Sequence, residues 1–386
     1  QEHLYIETQG AYAIPLENGH IRISSSTQGP TAVQRITARV LGVGMHKIEV
    51  DVVRIGGGFG GKEDQATPWA VMAALGVSIL NSPVKVVLIW VDDMLMTGKR
   101  HPYSSDHNIW FFKDLKSLAY ETTFYQNAGA AADLSPAVME RTLFHGTYSY
   151  FIPNVKMTAY SCKTNLPPNT AFRGFGGPQG MFVIESALTH SAKALGISPH
   201  ELQKINLLQN GDEFPYGQIA DGVALNSIWQ EMELKFDIDA NEKEIDEFNS
   251  MRSDIKRGFS LMPETFGISF TKTPMNQARA LVHIYTDGSV GISTGAVEMG
   301  QGVNTKMLQI AAHIFSIDPK RVKLESTNTM RVANTSPSAA SSTADLNGKA
   351  LQKACNVLLE RLTTCAAEHL GVSSNDITLK DGMVYR

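Results

Sequence analysis

Arg54-Ile-Gly-Gly-Gly-Phe-Gly-Gly-Lys-Glu63 sets five glycines around one phenylalanine. Backbone of that composition reaches positive φ and comes close to a ligand with no Cβ in the way. A β-branched run over 48–55 leads in, and an apolar-periodic stretch around Trp69, Met72 and Ala73 leads out. The reading is therefore strand, glycine loop, helix N-terminus. Such a terminus offers free N–H groups and the positive end of the helix dipole, which suits a phosphate or another anion. Similar loops recur at Arg173-Gly-Phe-Gly-Gly-Pro-Gln-Gly180, before a helix-like 181–195, and at Glu298-Met-Gly-Gln-Gly302, before 304–315. A fourth, poorer in glycine, Ser336-Pro-Ser-Ala-Ala-Ser-Ser-Thr343, precedes 346–362. One large anionic cofactor held by several loops would account for all four.

Two other readings of the first loop compete. Gly56, Gly58 and Gly61 match the dinucleotide fingerprint of a nicotinamide-binding Rossmann unit. Against it, Asp92 lies well beyond the ~20 residues at which an acid meets the ribose, and Lys62-Glu63 puts a carboxylate where the pyrophosphate would sit. The loops could also be tight turns and nothing more.

At 386 residues the chain is long enough for two or three domains of ~150 residues each. With 43% apolar and 19% charged residues it is an ordinary globular composition. A net charge of −4 gives no footprint for nucleic acid, and the longest apolar run, 68–80, is too short to span a bilayer. Cys162, Cys355 and Cys365 form no C-x-x-C pair and are odd in number. A disulfide framework or an iron–sulfur cluster held by this chain is not expected, and a reducing, cytoplasmic setting is.

In chain order, Leu4 and Ile6 alternate as in a strand, and 21–25 is another. Pro30 opens a helix with Val33, Ile36 and Val40 on one face, and Gly42 closes it. With 48–55 this completes a β-α-β unit. Gln28, at the strand end, is either a surface residue or a ligand contact. From 92 to 153 the pattern is irregular apart from a strand at 119–125. Arg141, in Ala137-Val-Met-Glu-Arg-Thr-Leu-Phe144, reads by default as half of a salt bridge. A strand at 155–161 leads to the second glycine loop, where one of Phe172 and Phe175 is placed to stack on a planar ligand. Residues 228–257 are charged and helix-like. Beyond them 266–271 and 281–285 read as strands, the latter joined to 290–294 through the hairpin turn Asp287-Gly288. The fold class is α+β, with lobes at 1–225 and 258–386 around one cofactor and a helical excursion at 226–257.

Gly56-Gly-Gly-Phe-Gly-Gly-Lys-Glu63, Met139-Glu-Arg-Thr-Leu-Phe144, Asn169-Thr-Ala-Phe-Arg-Gly-Phe-Gly-Gly-Pro-Gln179, Phe266-Gly-Ile-Ser-Phe-Thr271 and Gly300-Gln-Gly302 with 336–342 occur in this order. Together they resemble the molybdopterin-binding part of the xanthine dehydrogenase and xanthine oxidase family. That resemblance implies a molybdenum ion, with sulfido and oxo ligands, held by the pterin dithiolene rather than by side chains. Gln28, Phe59, Arg173 and Ala340 would lie beside the molybdenum, and Gly58, Gly60, Gln301, Ala339 and Ser341 would line the rest of the cofactor. Phe175 and Phe270 match the rings that clasp a flat heterocycle, with Thr271 beside them as a hydrogen-bonding group. Glu63 and Arg141 match the pair that orients purines, where related aldehyde oxidases usually carry apolar residues. The implied reaction is hydroxylation of hypoxanthine and xanthine to urate, with oxygen from water. The arginine would stabilise charge developing on the ring, and the phenylalanines would fix its plane.

The family's general-base glutamate lies in a Gly-Glu-Pro-Pro stretch, which does not occur here; Glu264, after Pro263, stands in a different context. The resemblance therefore implies that the remaining part of a molybdenum subunit supplies the base. Partner chains or domains with 2Fe-2S clusters and FAD would carry electrons away, and an oligomer is expected. The alternatives are an aldehyde oxidase-like or other N-heterocycle hydroxylase, a nicotinamide dehydrogenase, and a non-catalytic assembly partner.

Overall fold

In the computed structural model every residue from Gln1 to Arg386 is described except the side chains of 340–342. The chain opens with β1 (Gly10–Pro15) and β2 (Ile21–Ser25), an antiparallel pair. Leu4 and Ile6 belong to no strand; both are exposed, and Leu4 has φ 52. Then α1 (Pro30–Leu41) runs from a proline in its first turn to Gly42 at φ 67, whose N–H closes on Ala38 O and Arg39 O. The next strand, β3 (Ile48–Val52), lies parallel to β2, so the expected β-α-β unit is present.

After β3 and its glycine loop come α2 (Thr67–Leu80), β4 (Val84–Val87) and α3 (Trp90–Met96). Strand β4 pairs antiparallel with β1 rather than parallel with β3. The glycine loop therefore does not open a second parallel crossover, as a nicotinamide domain requires. Nor does it sit on a helix N-terminus, because residues 62–66 separate Gly61 from the start of α2. Ile23, Val33, Val50, Ala70 and Ala73 are among the residues that fill the core between this sheet and α1 and α2.

A second layer holds β5 (Tyr103–Phe111), β6 (Ser117–Gly129), α4 (Ser135–Phe144), β7 (Asn154–Lys163), α5 (Gly177–Leu195) and α6 (Pro199–Ile205). The region read as irregular thus contains a full strand, β5. Its polar Ser104, Asp106 and Asn108 dilute the apolar pattern, and pairing along β6 holds it. The charged excursion forms α7 (Leu225–Phe236) and α8 (Ile238–Met251), broken at Asp237 with φ 42. Trp229 anchors it in the core around Tyr150, Ile184 and Leu188.

Residues 266–271 are not a strand. Ser269 has φ 69, and the carbonyls of Gly267 and Ser269 accept from the Arg141 side chain instead of from a neighbouring strand. The expected hairpin follows as β8 (Ala280–Ile284) and β9 (Val290–Thr294), with Gly288 at φ 77. Then come α9 (Val303–Phe315), β10 (Val322–Leu324), β11 (Thr327–Asn328), α10 (Ala340–Leu370), and a terminal hairpin of β12 (Thr378–Lys380) and β13 (Met383–Tyr385). Strand β11 crosses to the edge of β3, so the first sheet runs β11-β3-β2-β1-β4 and is completed by the second half of the chain. That crossing brings the loop before α10 against the glycine loop after β3.

Candidate cofactor and substrate cleft

Gln28 ties those two loops together. Its Oε1 accepts from the Gly60 and Lys62 amides at 3.0 and 3.2 Å, and its Nε2 donates to Ser338 O at 2.8 Å. Beneath the loop the Lys62 ammonium is fully buried, donates to Glu7 O and Ser26 Oγ at 2.6 and 2.7 Å, and lies 4.4 Å over the Tyr5 ring. Burial pulls its pKa down to about 8. The sequence reading gives Lys62 no role of its own, because a lysine beside a loop ordinarily keeps its ammonium in water.

The second glycine loop lies backbone to backbone on the first. Arg173 N–H donates to Phe59 O at 2.8 Å. Gly60, at φ 94, would bring a Cβ within 2.9 Å of the Ala171 peptide. At that position the missing side chain serves a second stretch of chain, not only a ligand. Phe172 is not available for stacking on a ligand. It is sandwiched between the His3 ring, 4.4 Å away, and the Arg100 guanidinium, 4.0 Å away. Phe175 instead meets Phe270 edge to face, with centroids 6.1 Å apart and planes at 77°. The two rings make perpendicular walls rather than parallel jaws.

The third loop differs from expectation in a second way. The positive end of α9 is already met by the Glu298 carboxylate, which accepts from the amides of Gly300, Gly302 and Asn304 at 2.9, 3.1 and 3.0 Å. Partial burial pushes this carboxyl up, but the three amides and Arg54 outweigh it and hold it below the usual range. Gln301 closes on its own loop, accepting from Met299 N and donating to Val297 O at 2.7 and 2.9 Å.

These loops enclose a cleft of about 750 Å³, within the size range of cofactor and substrate pockets. Gln28, Gly58, Phe59, Gly60, Arg173, Gln301 and Ala339 line it, together with Glu63, Arg141, Phe175 and Phe270. Thr271 is not on the wall; its hydroxyl donates to Glu140 Oε2 at 3.0 Å. The side chains of Ala340 and Ser341 lie outside what the structure describes. Glu264 and Phe266 also line the cleft, so the segment before Gly267 contributes more than its sequence context suggested.

Two buried ionisable side chains stand in it. Arg141, 5% exposed, donates Nη1 to Gly267 O at 2.6 Å and Nη2 to Ser269 O, while its Nε has no partner among the described residues. Among the described residues no salt bridge holds it, contrary to the default reading; backbone carbonyls do. Glu63 is 2% exposed, and its Oε2 has no hydrogen-bond partner among the described residues. Burial first, then the neighbouring Asp64 and Asp133, raises its pKa well above 4.5. The folded protein therefore keeps a proton that the unfolded chain releases above about that pH, so Glu63 costs stability progressively as pH rises, by about 1.4 kcal/mol for each pH unit up to the folded value. Glu63→Gln should match wild type in thermal midpoint near pH 4 and exceed it increasingly as pH rises above that. A difference that stays flat with pH would show Glu63 ionised in the fold.

The donor set suits a metal that arrives on its own organic ligand, because no three His, Cys, Asp or Glu converge to hold an ion among the described residues. The Arg173 guanidinium, on the cleft wall and exposed, makes no hydrogen bond or ion pair among the described residues. No helix among the described residues is long and apolar enough to cross a membrane.

Comparison with known proteins gives the cleft a context. The family model described as molybdopterin cofactor-binding domain matches residues 1–207, and a second model of that description matches 231–386. The chain is 43% identical to xanthine dehydrogenase/oxidase of Gallus gallus over 377 residues, covering 97% of this chain and 28% of that protein. It is 38% identical to xanthine dehydrogenase of Dictyostelium discoideum, covering 97% of this chain and 29% of that one. It thus spans little more than a quarter of the length of these curated relatives. Among solved structures, quinoline 2-oxidoreductase from Pseudomonas putida 86 shares the fold with a TM-score of 0.85 at 21% identity, over 100% of this chain and 50% of that one. Aldehyde oxidoreductase from Desulfovibrio gigas does so at 0.77 and 23%, over 93% and 39%. Matched along both halves, this chain belongs to the molybdopterin cofactor-binding domain family, as a part-length relative of the xanthine dehydrogenases.

Proposed function

We propose that this chain is the cofactor- and purine-binding portion of a molybdenum hydroxylase that converts hypoxanthine and xanthine to urate. The observation that carries this reading is the pairing of a buried acid, Glu63, with a buried guanidinium, Arg141, on the wall of one cleft beside two perpendicular phenyl rings. The molybdenum cofactor, when bound, supplies oxygen transfer and takes up the electron pair. Gln28, Gly58, Phe59, Gly60, Arg173, Gln301 and Ala339, with Ala340 and Ser341, would hold it. Glu63, whose carboxyl burial biases toward the protonated form, donates to a ring nitrogen or carbonyl. Arg141 meets the negative charge that builds on the ring, an interaction that strengthens in the transition state. Phe175 and Phe270 restrict the ring to one orientation, with Thr271 at their margin.

The general base, together with 2Fe-2S and FAD modules that remove electrons, belongs on this reading to the parts of the protein beyond the matched quarter, in an oligomeric, cytoplasmic enzyme. One observation favours a second reading, an aldehyde oxidase-like or other N-heterocycle hydroxylase: both terminal nitrogens of Arg141 are already engaged by the 267–269 carbonyls. A substrate that develops little charge at that end would leave them there.

The deciding experiment measures molybdenum, pterin and turnover in the full-length protein, wild type and Phe270→Ala. Oxypurine turnover is expected in wild type. The variant should keep its molybdenum and lose about 10-fold in kcat/KM for purines, the combined effect of stacking and burial. Molybdenum with aldehyde oxidation but no oxypurine turnover would transfer the assignment to the second reading. Loss of the cofactor in Phe270→Ala would make that ring a core residue.

A further inference from the structure

Arg141 can select a substrate only if its guanidinium is fixed, and the segment it grips, 264–271, has no strand or helix of its own. His145 stands one helical turn beyond Arg141, at the C-terminal end of α4, on the same face. Its ring is 7% exposed, and both nitrogens are engaged. The Gly267 amide donates to Nε2 at 3.0 Å, which makes Nε2 an acceptor and leaves the proton on Nδ1, 3.0 Å from Arg141 O. The carbonyl of the same glycine accepts from Arg141 Nη1 at 2.6 Å. Gly267 is thus held by its N–H through His145 and by its C=O through Arg141. Phe266 closes the arrangement, 4.9 Å from the His145 ring and 5.1 Å from the guanidinium.

We propose that His145 is a positioning residue which, by fixing the Gly267 peptide, sets the direction of the Arg141 guanidinium in the cleft and with it the preference for oxypurines. The proposal rests on the purine reading above. Only a neutral imidazole can accept at Nε2, since the imidazolium has two N–H donors and no acceptor. The neutral form is secured by burial and by Arg141, which lower the pKa to about 4. The groups that face the ring are Arg141 on its own helix, Phe266 and the Gly267 peptide on the arm, and Gly177 on α5; none is acidic.

The test uses the full-length holoenzyme with His145→Ala and His145→Gln, whose amide oxygen can take over the acceptor role. Hydrogen exchange of peptides covering 262–272 and kcat/KM for xanthine against a small aldehyde are the two readouts. In His145→Ala the arm should exchange about 10-fold faster or more, and the xanthine-to-aldehyde preference should fall by a similar factor, as expected for loss of hydrogen bonds to a buried group. His145→Gln should restore both. Unchanged arm exchange in His145→Ala, or equal losses on both substrates that glutamine does not restore, would overturn the proposal. Should His145→Ala not accumulate, exchange across pH decides: the wild-type arm loosens as pH falls to about 4, and the His145→Gln arm does not. A wild type without oxypurine turnover would remove the purine reading alone, while arm exchange would still judge the link from His145 to Gly267.

Discussion

Arg141→Ala should lower kcat for xanthine by about 100-fold or more in the full-length enzyme, the usual effect of losing one preorganised donor to developing charge. The effect is large because the guanidinium is buried and has no carboxylate to neutralise it. Its field is weakly screened, and charge gathering on a bound ring meets nearly all of it. KM should rise as well, since removal of the side chain also leaves Gly267 O and Ser269 O without their donor and frees the segment that carries Phe270. A small aldehyde, which develops less charge at that distance, should lose far less. Arg141→Lys should not rescue, because one ammonium on a flexible stem cannot span two carbonyls and a substrate in a fixed plane. Steady-state kinetics with both substrate classes on a cofactor-replete preparation gives the answer. Xanthine kcat/KM at the wild-type level in Arg141→Ala would confine this residue to bracing the arm.

What could be read in the sequence was what is decided locally. Helix α1 is announced by Pro30 and stopped by Gly42, and the β8–β9 hairpin by Asp287-Gly288, because fixed or left-handed φ at those points leaves the chain few options. Phe266 to Thr271 was misread as a strand because aromatic and β-branched residues fit a pleat. The carbonyls there are taken by an arginine more than a hundred positions earlier, which no local pattern reports. Strand β5 escaped for the opposite reason, its polar residues being tolerated only because β6 lies alongside.

The cleft shows the same division. Glycine loops advertise themselves by composition, and the family resemblance puts Gln28, Glu63, Arg141, Phe175 and Phe270 in order along the chain. Their surroundings were out of reach. That Phe172 is sandwiched by His3 and Arg100 depends on which distant side chain arrives first. His145 carried one local signal, its position one turn after Arg141, but a lone histidine at a helix end is more often a cap than a clamp. Physically, a loop's flexibility is written in its own residues, whereas the group that uses the flexibility is written elsewhere.

Gly176→Ala should be among the most disruptive single-methyl changes in the molecule. Gly176 precedes α5 with φ 98 and ψ −22, outside the region alanine occupies readily. A Cβ there would run into Val138 O and come within 2.8 Å of Thr142 Oγ1. Neither can retreat cheaply. Val138 and Thr142 lie on α4, and the Thr142 hydroxyl is within 3.1 and 3.0 Å of Val138 O and Gly176 O, so shifting it strips buried carbonyls of a partner. Backbone strain of about 1–3 kcal/mol and overpacking of about 1–3 kcal/mol act together, giving an expected loss of about 2–6 kcal/mol. Gly196 isolates the first contribution: it also has positive φ, 74, but nothing lies within 4 Å of its would-be Cβ. Gly196→Ala should therefore cost only about 1 kcal/mol. Native-state hydrogen exchange of α4 and α5 peptides in the full-length protein measures both on one scale. Equal protection in the two variants would mean that α4 gives way to the added methyl, and Arg141, on that same helix, would then be less firmly aimed than its contacts imply.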